Sequence, residues 1–179
     1  MSLQATTWQT VGPYFGIGLE HLDTLRLAAP DTPGEHVTVK GRVLDGHGKP
    51  VPDAVVEIWQ ANAKGEYSDE SGFRGFGRIP TDAEGRFAFS TIRPGGVPGP
   101  GDALQAPHLA VRVMMRGLLK DLVTRVYFPG EDLAVDPVLQ LVPEHRRATL
   151  IAVPSVDNGA IFVWDIELQG ERETVFFDC

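Results

Sequence analysis

The sequence predicts an all-β protein: an antiparallel β-sandwich with an N-terminal arm and short helices. Three observations lead there. Short stretches alternate apolar and polar residues with period two, the pattern of a strand with one face buried. With 20 glycines and 14 prolines in 179 residues, many short strands and turns are favoured over long helices. About seven or eight such stretches, separated by turn residues, suit two packed sheets. The length suits one domain, with residues 1–35 read as the arm and 36–179 as the sandwich.

Residues 1–33 show no amphipathic period, yet they carry Trp8, Tyr14 and Phe15, with Gly12-Pro13 turning the chain before Tyr14. A frayed tail has no use for three aromatic anchors, so this arm is expected to pack on its own domain or on a partner chain. From His36 the alternation is clean, with Val37, Val39 and Val43 on one face and Thr38, Lys40 and Arg42 on the other. Asp45-Gly46 and Gly48-Lys49-Pro50 stop that strand. Residues 54–60 alternate again, with Val55, Glu57 and Trp59 opposite Val56, Ile58 and Gln60, so the two stretches read as a hairpin.

A Gly/Ser-rich loop over 68–80 follows, then a turn at 81–85 and a strand over 86–91 with Phe87 and Phe89 inward. The long Pro/Gly loop over 93–107 has the length of a functional or disordered segment. Residues 108–115 place Leu109, Val111 and Val113 on one face and His108, Ala110, Arg112 and Met114 on the other. Another strand covers 122–128. Asp136-Pro137 reads as an N-cap with proline at the first helical position, and Pro143 keeps that helix short. Strands over 149–153 and 161–168 complete the set, the second with Phe162, Trp164, Ile166 and Leu168 on one face.

A net charge of −8 argues against nucleic acid, whose phosphates demand a basic surface. No apolar run is long enough to span a bilayer, and the first residues lack the basic and apolar regions of a signal peptide. The single cysteine, Cys179, leaves no disulfide framework within the chain. A cytoplasmic location is the expectation. No G-x-S-x-G or P-loop occurs, and the glycine-spaced Gly72 to Gly77 follows a loop rather than a strand. The five histidines are scattered, and only His108 opens a strand just after a Pro-rich loop.

Four segments carry a more specific signal. They are Trp59-Gln60-Ala61-Asn62-Ala63-Lys64-Gly65-Glu66-Tyr67, Thr91-Ile92-Arg93-Pro94-Gly95, Ala106-Pro107-His108-Leu109 and Thr124-Arg125-Val126-Tyr127-Phe128-Pro129-Gly130. Together, and in this order, they resemble the intradiol ring-cleaving dioxygenases. That resemblance implies a ferric ion held by two tyrosines and two histidines, the histidines as His-x-His on one strand face. Tyr67 matches the first tyrosine and His108 the first histidine. Val97 stands at the second tyrosine position and Ala110 at the second histidine position. Neither side chain offers a lone pair, so no iron is expected on this chain, and Tyr67 and His108 become packing residues, the Tyr67 hydroxyl hydrogen-bonded.

Some members of the family are built from two related chains, and Thr10-Val11-Gly12-Pro13-Tyr14-Phe15 and Glu173-Thr174-Val175-Phe176-Phe177-Asp178 are similar to the chain without iron. The resemblance then implies a homologous beta chain that holds Fe(III), with O2 and a small aromatic molecule as substrates. It also implies that Thr10, Gly12, Pro13, Tyr14 and Arg125 wall the partner's pocket. An aromatic side chain and a guanidinium suit a ring bearing a carboxylate. Two other readings stand beside this one. One is a β-sandwich interaction module with no enzymatic link. The other is a self-sufficient dioxygenase with replacement donors, for which Asp102 and Tyr127 are the nominees.

Overall fold

The computed structural model describes residues 4–67, 73–99, 101 and 103–178. Asp102 and Cys179 lie outside them, as do residues 68–72 of the predicted loop. The described residues form an all-β sandwich of two sheets. One is built on β1 (His36–Leu44), which pairs antiparallel with β4 (Arg86–Ile92) along one edge. Its other edge runs parallel to β10 (Ile161–Val163) and β11 (Ile166–Glu167), and β9 (Val153–Pro154) extends β10. The second sheet is wholly antiparallel, in the order β3 (Phe76–Pro80), β2 (Val55–Trp59), β7 (His108–Met114) and β8 (Leu122–Tyr127). A two-stranded ribbon, β5 (Val97–Pro98) with β6 (Leu104–Gln105), stands apart from both.

The predicted hairpin is a correction. The chain does turn tightly after β1, with the Val51 N–H donating to the Val43 carbonyl at 2.9 Å, but it then crosses to the other sheet. Strands β1 and β2 therefore face one another across the core rather than sharing an edge. Each has a buried face, and facing them buries both at once. Val37, Val39 and Val43 of β1, with Phe87 and Phe89 of β4, meet Val56 and Ile58 of β2, Ile79 of β3 and Leu109, Val111 and Val113 of β7. Phe162, Trp164 and Ile166 fill the same core, as their alternation predicted.

Two further readings change. The strand expected over 149–153 opens in a 3-10 turn, Ala148–Leu150, followed by a single bridge from Ile151 to Tyr127 and a two-residue strand from Val153. The helix expected after Asp136 is a single 3-10 turn, Leu139–Leu141. Asp136 does cap it, its carboxylate accepting the N–H groups of Val138 (2.9 Å) and Leu139 (2.7 Å). The only α-helix among the described residues is α1 (Glu144–Arg147), and no helix there is long and apolar enough to cross a membrane.

Candidate functional site

The site grows from the outer face of the second sheet. Alternation that sends Leu109 and Val111 inward sends His108 and Ala110 outward on β7, and on β8 it sends Arg125 and Tyr127 outward. Register then sets neighbours: His108 lies opposite Tyr127, Ala110 opposite Arg125, and Trp59 of β2 opposite Ala110. Tyr67, just beyond β2, returns over this face and stacks on Trp59, with ring centroids 5.9 Å apart and planes 7° apart. Its approach depends on Gly65, which takes φ +82°; a Cβ there would lie 1.9 Å from the Gly96 carbonyl oxygen. Only glycine lets the 62–66 turn sit on Gly95-Gly96 this closely.

The residues nominated from sequence as the former metal positions gather at this end of the sheet, yet their donors do not fit a ferric ion. Val97 is buried on the β5–β6 ribbon, and Ala110 presents only a methyl group. His108 is 4% exposed, and its Nδ1–H donates to the Ala106 carbonyl at 2.7 Å. Burial, aided by the Arg125 charge, lowers its pKa and keeps it neutral. Tyr67 is half-exposed, and burial of the rest of the ring pushes its phenol up despite Arg125. The expected hydrogen bond of its hydroxyl is not found among the described residues; stacking on Trp59 holds the ring instead.

Tyr127 is no replacement donor. It is fully buried, its hydroxyl donates to Asp136 Oδ1 at 3.1 Å, and desolvation pushes its pKa up to about 12. A neutral phenol locked to a carboxylate is a poor substitute for a phenolate ligand. Asp136 is a hub that sequence reading saw only as a cap. Besides Tyr127 and its own turn, it accepts the Ala106 N–H at 2.8 Å, fixing the segment that leads into His108. Long-range partners of that kind leave no local sequence signal. Arg125 is half-buried, donates from Nη1 to Gln105 Oε1 at 2.7 Å, and has no carboxylate partner among the described residues.

The arm residues lie elsewhere. Thr10 Oγ1 accepts the Gly117 N–H at 2.8 Å, beyond the far end of β7, and Trp8 lies 4.9 Å from the Lys120 ammonium. Pro13–Phe15 form a 3-10 turn beside Pro52, Asp53 and Arg116. His108 and Met114 are six residues apart along β7, about 20 Å at the rise of a strand. Thr10, Gly12, Pro13 and Tyr14 are therefore not brought to Tyr67, His108 and Arg125 within one chain. Tyr14 is 77% exposed and Trp8 68%. The structure presents these aromatics outward.

Comparison with known proteins shows the family. A dioxygenase family model matches residues 10–170. The chain is 43% identical to the protocatechuate 3,4-dioxygenase alpha chain of Burkholderia cepacia, covering 99% of this chain and 98% of that one. It is 40% identical to the beta chain of the same enzyme from that organism, covering 79% of this chain and 67% of the beta chain. Among solved structures, the dioxygenase domain of a dioxygenase–carbohydrate-binding fusion from Streptomyces sp. SirexAA-E superposes with a TM-score of 0.64 at 30% identity, covering 83% of this chain and 88% of that one.

Proposed function

The chain belongs to the intradiol dioxygenase family, and from that membership we propose that it is the alpha subunit of an enzyme that opens the ring of protocatechuate with O2, giving 3-carboxy-cis,cis-muconate. One observation carries the reading. End-to-end likeness to an alpha chain coincides with valine and alanine at positions 97 and 110, which the family resemblance matches to metal ligands. By this reading a homologous beta chain holds the iron, and this chain offers its partners shape from the arm and charge from Arg125, two contributions that stand well apart on its second sheet.

Thr10, Gly12, Pro13 and Tyr14 supply the shape. The rigid turn at Gly12–Gly16, closed by Phe15 N–H to Gly12 carbonyl at 3.2 Å, presents an exposed phenol and a proline ring as a wall for a flat aromatic molecule. Arg125 supplies the charge. Its Nη1 donates to Gln105, and with no carboxylate partner among the described residues the guanidinium charge suits a ring carboxylate.

The test is turnover by the co-expressed pair, with each chain alone as control and Arg125→Ala in the pair. Ring cleavage is expected only when both chains are present. A charge-assisted hydrogen bond contributes about 1.5–3 kcal/mol, so Arg125→Ala should lower kcat/KM for protocatechuate about tenfold to a hundredfold. Unsubstituted catechol, which lacks the carboxylate, should lose far less, and iron content should not change. Equal loss for both substrates, or separation of the chains, would make Arg125 an interface residue.

A further inference from the structure

Beneath the arm, on the same outer sheet face as His108 but in the middle of the edge strand β3, Arg78 is the most buried arginine that the substrate reading leaves unused. It is 8% exposed and lies directly opposite Glu57 in the β2–β3 register. Its Nη1 donates to Glu57 Oε1 at 3.2 Å. Its Nη2 donates to the carbonyl oxygen of Phe15. Its Nε faces Asp23 Oδ1 at 3.9 Å, within ion-pair reach but beyond a hydrogen bond, and makes no other polar contact among the described residues. The Arg78 carbonyl in turn accepts the Thr24 N–H at 2.8 Å. One residue of β3 therefore holds the arm at Phe15, at Asp23 and at Thr24, closing residues 15–24 into a loop pinned at both ends.

Sequence and geometry make this more than packing. Tyr14 immediately precedes the gripped carbonyl, inside a turn whose backbone bonds (Phe15 to Gly12, Gly16 and Ile17 to Pro13) leave little freedom between the two residues. Fixing the Phe15 carbonyl therefore fixes the direction in which the Tyr14 ring leaves the surface. An exposed arm held only by apolar contact would sample many orientations, whereas a guanidinium fork gives direction as well as attraction. Below the turn, the cleft of about 410 Å³ between Phe15, Ile17, Pro52 and Val55 shows that apolar packing alone does not close this contact.

We propose that Arg78 is a positioning residue: through the Phe15 carbonyl and Asp23 it sets the arm so that Tyr14 and Pro13 meet the partner chain's pocket in one orientation. The inference rests on the alpha-subunit reading for its consequence, though not for the contact itself. Arg78 touches no substrate, so its effect should fall on substrate binding rather than on the bond-breaking step.

The experiment uses the assembled alpha–beta enzyme carrying Arg78→Gln, Arg78→Lys, Asp23→Asn or Tyr14→Ala, with steady-state kinetics and backbone hydrogen exchange measured on each. Arg78→Gln should speed exchange of residues 13–24 while β4 and β7 keep wild-type protection, and should raise KM for protocatechuate about three- to tenfold with kcat within about twofold. Arg78→Lys, a point charge that cannot span three acceptors, should recover only part of this. Asp23→Asn weakens the arm side without leaving a buried unpaired charge, and should give a smaller change of the same kind. Wild-type exchange at 13–24 in a folded Arg78→Gln enzyme overturns the clamp. Faster exchange with wild-type KM overturns the positioning role, provided that Tyr14→Ala raises KM. If Tyr14→Ala leaves KM unchanged, the arm's place in the partner's pocket fails instead, and with it the consequence assigned to Arg78.

Discussion

At the scale of single residues, His108, which the family resemblance matches to a metal ligand, is held here by burial and one hydrogen bond. Its ring is buried against Tyr127, centroids 5.7 Å apart, and one nitrogen is committed to the Ala106 carbonyl. Burial first, and Arg125 second, hold its pKa below the ordinary 6.5, so the folded state favours the neutral ring. The unfolded chain therefore takes up the proton first as the pH falls. The stability His108 contributes is fully present above pH 6.5 and is lost as the pH drops through that value toward its folded pKa. Chemical denaturation between pH 8 and pH 5 should show a decline in stability that is smaller in His108→Gln. An identical decline in both proteins would show that His108 titrates as it does in the unfolded chain.

At the scale of elements, β1 carries the first sheet, and Gly41 is where its geometry is tightest. Phe87 of β4 packs on one side of it, and on the other the chain steps from β10 to β11 through Trp164-Asp165. A Cβ on Gly41 would come within 1.8 Å of the Trp164 carbonyl oxygen, a backbone atom with nowhere to move. Asp165 fills the gap in the ladder by accepting the Arg42 N–H at 2.9 Å. Gly41→Ala should therefore destabilise by about 1–3 kcal/mol or more, as overpacking does, read as a lower denaturation midpoint with an unchanged slope. A midpoint equal to wild type would mean that β10 and β11 can shift away from β1. The alternation of β4 and β7 made their buried faces readable in advance. The step at Trp164-Asp165 was not readable, because Phe162, Trp164 and Ile166 keep a period of two straight through it.

At the scale of the whole molecule, the surface is unusual in where its aromatic residues lie. Trp8 and Tyr14 project from the arm at one end of the second sheet, and Trp59, Tyr67 and Phe76 form an exposed cluster toward the other. Exposed aromatics grouped in this way mark interaction surfaces. Expressed alone, the chain should self-associate or sediment heterogeneously, and it should purify colourless and without stoichiometric iron. Co-expressed with a beta chain, it should sediment as one larger species, with iron in proportion to the beta chain. A red-brown lone chain with one iron each would overturn the assignment of Val97 and Ala110 as donor losses. A stable lone monomer that ignores the beta chain would favour a free-standing interaction module.

The sequence by itself determined which faces are buried, because alternation is local: Val37 and Val39, Phe87 and Phe89, Leu109 and Val111 each declare a core face by spacing alone. It also determined that positions 97 and 110 bring no side-chain donor, since the side chains of valine and alanine have no lone pairs in any fold. Tertiary structure decided which edges pair. Nothing in the period of β1 or β2 says whether the two share a sheet, and the crossing after Val51 set them face to face. It decided that the arm and Arg125 stand at opposite ends of the second sheet, although the same resemblance nominated both. Asp136 and Arg78 likewise acquired their roles only through partners distant in the chain: Ala106 for the carboxylate, Phe15 and Glu57 for the guanidinium. A buried charge is stable only where distant segments supply its partners, and those segments meet only in the folded chain.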